Sequence, residues 1–149
     1  MAFRFSLQSV LRYRRGLENQ EEKKLLAAAL AVGKVRAEIE KLAELDTQQR
    51  GTVQTEMISE SVLGSVLQFY AKCGEQRVIL EKQKVKRLQE LEEKRKEQAA
   101  EYRNARQTRE ILEGLCDRQK AKYERELAQR IQQNMDEMFL VQKIREGSE

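Results

Sequence analysis

A ladder of apolar residues at alternating spacings of three and four constrains this chain more than any other feature. Leu25, Ala28, Val32, Val35, Ile39 and Leu42 form it without interruption, and it extends backwards in phase to Leu11 and Leu7. Spacing of this kind sets one stripe along a helix and needs a second helix to cover it. Between the two apolar blocks the stripe passes through Arg14, Glu18 and Glu21, so the seam is apolar at both ends of the first helix and polar between them. Composition agrees with the ladder. The chain has no proline, tryptophan or histidine, and Ala, Leu, Glu, Lys and Arg supply just over half of its 149 residues. Such usage belongs to long helices and coiled coils. With 36% charged and 5% aromatic residues, the chain can line a narrow seam but cannot surround a thick core.

The ladder fails around Arg50–Ser61, where β-branched residues and serines gather, and Ser59 or Ser61 offers an N-cap for a second helix. This predicts an all-α fold in a single coiled-coil domain, a long two-helix antiparallel hairpin. The first helix is expected over about 3–52, a connection over about 53–61, and a longer second helix over about 62–143, roughly 75 and 120 Å at about 1.5 Å per residue. The second helix opens with Val66, Phe69, Cys73 and Leu80 on one stripe. After Leu80 the register is expected to shift to Leu88, Leu91, Gln98, Tyr102, Ala105, Leu112, Cys116 and Tyr123, with Arg95 and Arg109 also at seam positions. Because the second helix exceeds the first, its C-terminal part should lack an intramolecular partner. Ile131, Met135, Met138, Phe139 and Ile144 make that part amphipathic.

Several functions are disfavoured by what the chain lacks. General-base and nucleophilic catalysis of the usual kinds want a histidine in a concave pocket, and a histidine-free two-helix chain supplies neither. No enzymatic activity, cofactor or metal site is expected. Gly33-Lys34 is not a phosphate loop, since Ala28 stands where the upstream glycine belongs and Val35 where the hydroxyl belongs. Cys73 and Cys116 are too few and too far apart for a zinc cluster or a disulfide framework, which fits a reducing compartment. The longest aliphatic run, Leu25 to Val32, falls far short of the roughly 20 residues that span a bilayer, and no N-terminal apolar region resembles a signal peptide. A cytoplasmic or membrane-peripheral protein is expected.

The net charge is +4, from 29 basic and 25 acidic residues, and its distribution says more than its sum. Residues 1–17 carry Arg4, Arg12, Arg14 and Arg15 with no acid, so that end should attract an acidic surface. A basic run of Lys82, Lys84, Lys86 and Arg87, continued by Lys94, Arg95, Lys96, Arg103, Arg106 and Arg109, makes a nucleic-acid-associated coiled coil the main competitor. Glu81, Glu90, Glu92, Glu93, Glu97 and Glu101 interleave with it, so phosphates would meet carboxylates at nearly every turn. Nucleic acid is therefore not an expected partner. Glu90 with Lys94 and Glu92 with Lys96 are spaced for intrahelical pairing.

The chain opens Phe3-Arg4-Phe5-Ser6-Leu7-Gln8-Ser9-Val10-Leu11-Arg12-Tyr13-Arg14, a pattern F-x-F-x-L-Q-x-V-L-x-x-R. Toward the other end it carries Arg109-x-x-Leu112-Glu113-x-Leu115-x-x-Arg118-Gln119-x-x-Tyr123-x-x-Glu126, then Gln132 and Met135-Asp136-Glu137. Together these resemble the flagellar export FliJ family. One departure is Ile131, where family members commonly carry an acidic residue. The resemblance implies a cytoplasmic component of the flagellar type III export apparatus, peripheral to the inner membrane at the flagellar base and similar in shape to the stalk of a rotary ATPase. Implied partners are the export ATPase ring, the cytoplasmic domain of the export gate and the export chaperones, with the membrane reached only through the gate. The ring contact is then expected at Arg12, Arg14 and Arg15 with Asp136 and Glu137. The gate contact is expected at Phe69, Cys73, Gln76 and Leu80, which share a helical face that could equally be ordinary seam. The stalk protein of a virulence-type secretion system is the nearest alternative.

Overall fold

The computed structural model describes residues 2–59 and 64–148, with only the backbone of Ser59. The fold is an all-α, two-helix hairpin: α1 spans Gln8–Ser59 and α2 spans Gly64–Glu146, the longer of the two. The expected ladder failure at residue 53 does not end α1. Thr47, Thr52 and Thr55 each return their hydroxyl to the carbonyl four residues back, with oxygen–oxygen distances of 2.9, 2.9 and 2.8 Å, which satisfies the hydroxyls within the helix at a slight cost to it. The N-cap assigned to Ser59 or Ser61 lies outside the described side chains.

At the other end α1 starts later than the expected residue 3. Phe3 and Phe5 alternate with period two rather than with the helical period, and the segment 2–5 is not helical. A turn comes next, in which the Gln8 amide donates to the Phe5 carbonyl at 3.2 Å. α2 ends as a helix should, with Lys143 and Arg145 in its last turn against the negative end of the dipole. Gly147 beyond it donates its amide to the Lys143 carbonyl at 2.9 Å.

The chain divides into two contact units, residues 1–19 with 104–149 and residues 20–103. Within the second, the helices run antiparallel: as the α1 partner advances from Glu21 through Arg36 and Glu38 to Asp46, the α2 partner retreats from Gln98 through Glu92 and Lys84 to Arg77. Within the first, Arg15 meets Glu113 and Glu18 meets Arg109, again antiparallel.

The inward residues of α1 follow the expected ladder and continue it past Leu42 through Asp46, Gln49, Val53 and Glu56, all half-buried. Leu11 and Val32 are buried and Leu25, Val35, Ile39 and Leu42 half-buried, whereas Leu7 is exposed before the helix begins and Phe5 is buried instead. On α2 the register shift expected after Leu80 is absent. A single stripe runs by sevens through Tyr70, Arg77, Lys84, Leu91, Gln98, Ala105 and Leu112, with Leu88, Tyr102, Cys116 and Tyr123 on its companion row. Phe69 and Leu80, assigned to the seam from the sequence, point outward at 63% and 40% exposure. Following the apolar residues diverted the reading there, because the true stripe is occupied by Arg77 and Lys84. Long cationic side chains can lie along a seam with their charged ends at its edge.

Among the described residues only Phe5, Leu11 and Val32 are buried, and α2 contributes none. A two-helix pair leaves the flanks of most seam residues open, so packing is concentrated at the few that are buried. Leu11→Ala should therefore cost about 2–4 kcal/mol, a full core penalty, while Phe69→Ala should cost less than about 1 kcal/mol. Urea melts followed by circular dichroism check both.

Candidate protein-interaction surfaces

The first unit brings together the two sequence blocks that lie at opposite ends of the chain. The Phe3 ring sits 5.7 Å from that of Tyr123, tilted by 45°. Phe5 and Gln8 border a shallow cavity of about 660 Å³ whose other wall is Cys116, Asp117 and Lys120. The extended N-terminal segment thus closes over α2, using aromatic contact where the helix has not yet begun.

Next to this closure lies the most enclosed charge cluster of the unit. Arg109, with its side chain 20% exposed, donates through Nε to Glu18 Oε2 at 2.6 Å and through Nη2 to Glu18 Oε1 at 3.1 Å, while Nη1 reaches Glu113. Glu113 also accepts from Arg15 at 2.7 Å. The fork geometry of guanidinium on carboxylate is directional, so this cluster sets which turn of α1 faces which turn of α2. Arg109 is held in its charged form above the ordinary arginine range by its bonds to Glu18 and then Glu113. Glu113 is held below the usual carboxylate range by Arg15 and then Arg109.

Of the residues expected at a ring-contact surface, Arg12 is exposed, Arg14 is half-buried on the seam, and Arg15 is engaged with Glu113. Asp136 and Glu137 do not join them. They lie on the extension of α2 past Tyr123, where Asp136 accepts from Gln132 at 2.9 Å. From Glu124 to Ser148 every residue is exposed, including Ile131, Met135, Met138, Phe139 and Ile144. The unpartnered part is several turns long.

In the second unit, Phe69 stands exposed with its ring 6.0 Å from that of Tyr70 in an edge-to-face arrangement. Gln76 and Leu80 are also exposed and Cys73 is half-buried. The proposed gate-contact face is therefore mostly outside the seam. Beside it an open groove of about 450 Å³ is lined by Val53, Met57, Leu67, Tyr70, Gly74 and Val78, among others. The sequence reading missed this groove. Its signal was present in Tyr70 and Gly74, four apart on the inward stripe, where a large ring beside a missing side chain leaves an opening.

Charge pairing follows each helix and also crosses between the two. Glu92 accepts from Arg36 at 2.5 Å instead of pairing with Lys96, which turns to Glu93 at 3.5 Å, while Glu90 meets Arg87 at 3.4 Å instead of Lys94. Among the described residues no group of three or more His, Cys, Asp or Glu could hold a metal ion, and no helix is long and apolar enough to cross a membrane. Comparison of the chain with protein-family models, with curated proteins and with solved structures finds no match.

Glu21, Glu38, Glu92 and Glu113 all lie below the usual carboxylate range, each held there first by a cationic partner: Lys24, Lys84, Arg36 and Arg15 respectively. A carboxylate whose folded value is depressed stabilises the fold fully above its unfolded value and loses that contribution as pH falls through the folded one. Thermal midpoints should accordingly decline on acidification from about pH 6 to about pH 3. The decline should be shallower in Glu113→Gln, which has one such group fewer; identical slopes in the two proteins would show that Glu113 carries none of it.

Proposed function

We propose that this chain is a coiled-coil stalk component of a flagellar type III export apparatus, linking the export ATPase ring to the export gate and assisting export chaperones. The observation that carries the reading is the packing of Phe3–Arg14 with Arg109–Glu126. These are the two blocks in which the FliJ resemblance resides, and they meet through Phe3 with Tyr123, with the Arg15–Glu113–Arg109–Glu18 cluster joining the second block to residues just past the first.

In this reading the paired terminal end enters or caps the ring, presenting Arg4 and Arg12 to acidic loops, and the face bearing Phe69 and Leu80 docks on the gate. The exposure of Phe69 supports a contact outside the hairpin, since a large ring left facing water gains more by being covered. Against nucleic acid, Lys84, Arg106 and Arg109 of the basic run are occupied by Glu38, Glu110 and Glu18. Such internal neutralisation lowers the field available to phosphates. The work assigned to the chain is recognition, with no bond-making of its own.

A tagged copy expressed in motile cells should co-purify an ATPase and a gate subunit. Arg4→Glu with Arg12→Glu should weaken the ATPase arm and leave the gate arm intact, and the wild-type ATPase association should fall as salt rises. Phe69→Ala should do the converse. Recovery of neither partner, or of both unchanged from every variant, would remove the proposal.

A further inference from the structure

The extension of α2 beyond Tyr123 is exposed along its whole described length, from Glu124 to Ser148. Leu127, Ile131, Asn134, Met138 and Val141 recur at spacings of four, three, four and three, so they lie on one stripe of this helix. The four apolar members are 41%, 50%, 74% and 50% exposed. Phe139, off to one side, is already approached by the Lys143 ammonium, 5.4 Å from its ring centroid. The stripe is flanked along one edge by Arg130 and Glu137. These are opposite charges one heptad apart, and neither has an ion-pair partner among the described residues.

That edge decides between occupants. The spacing makes Ile131 and Met138 the a positions of the heptad, and in an antiparallel pair of identical helices the residues that precede them, Arg130 and Glu137, face the equivalent positions of the partner. Two registers bring the stripes together. One sets Glu137 against Glu137 of the second copy, which repels. The other sets Arg130 against Glu137 and, by symmetry, Glu137 against Arg130, two complementary pairs. It also layers Leu127 on Met138 and Ile131 on Asn134, with the two Asn134 side chains close to the axis. A parallel pair would match Arg130 with Met135 and Glu137 with Gln142, leaving both charges unanswered, and would stack Arg145 on Arg145. A single polar residue on an otherwise apolar stripe, as Asn134 is, commonly selects one register and orientation.

We propose that residues 124–141 form a self-complementary antiparallel interface through which two copies of this chain associate, fixed in register by reciprocal Arg130–Glu137 pairs. The contact is isologous, so it closes at two copies and does not propagate. Its small extent makes it reversible and dependent on concentration. The assignment rests on the stripe and the charge pattern of this segment and does not depend on the export reading.

Analytical ultracentrifugation of the full chain over a wide concentration range tests it. The wild type should show a monomer–dimer equilibrium. Arg130→Glu alone or Glu137→Arg alone should weaken it at least about tenfold, because each places like charges opposite one another. An equimolar mixture of the two variants should recover the association as a mixed dimer, since every pair across the axis is again opposite in sign. The double variant carrying both exchanges should also recover it. Circular dichroism verifies that each variant keeps its helix, which these exposed positions permit. A wild type that stays monomeric at the highest concentration overturns the proposal, as do single variants that dimerise unchanged or a mixture that fails to recover.

Discussion

A seam only one stripe wide governs this protein. Each helix can cover the other only along a narrow strip, so few side chains are withdrawn from water. Among the described residues that happens at Phe5, Leu11 and Val32. The rest of the architecture reflects the shortage of enclosed volume. No thick core exists to dictate how the helices align, and the alignment falls to directional contacts at the seam's edges. In the first unit Phe3 lies against Tyr123 and Arg109 bonds to Glu18; in the second Arg36 bonds to Glu92 and Arg77 to the Leu45 carbonyl.

The charged residues therefore have a different task from that of an ordinary solvated surface. An exposed ion pair contributes little to stability, but a series of them whose members must coincide across two helices discriminates strongly between one alignment and its neighbour one turn away. Within the first unit Glu18, on the apolar ladder, meets Arg109 on the facing one, and within the second Glu21 meets Gln98 in the same way. The polar centre of the seam weakens packing locally and selects the register. The same logic extends to the unpaired end of α2, where Asn134 and the charges at Arg130 and Glu137 offer a second copy one favourable alignment.

Surfaces that remain uncovered cluster where this seam stops or opens. Past Tyr123 there is no first helix left to pair with, and near Tyr70 the absent side chain of Gly74 loosens the contact into a groove. Those two places, together with the outward Phe69, carry exposed apolar groups that another protein could cover, while others such as Leu30 and Ile111 stand elsewhere along the helices. Of the basic run, Lys84, Arg87, Lys96, Arg106 and Arg109 are answered by glutamates.

The all-α class, the two helices with the second longer, and the first helix's seam from Leu11 to Leu42 were legible in the sequence, because heptad spacing is a local property that one strand of text displays in full. The lack of a partner for Ile131, Met135 and Met138 was legible for a related reason, since the lengths of the two helices differ. What the sequence could not display was anything set by contact between distant residues. Phe5 rather than Leu7 is buried because the N-terminal segment leaves the helix and folds over α2. The second stripe passes through Arg77 and Lys84 rather than Phe69 and Leu80 because their charged ends find Asp46 and Glu38 on the other helix. Glu92 chooses Arg36 over Lys96 for the same reason. Periodicity determined that a seam must exist and along which face of the first helix it runs; only the tertiary structure decided which side chains meet across it, because a partner's identity depends on register, and register is a relation between two helices that neither contains alone.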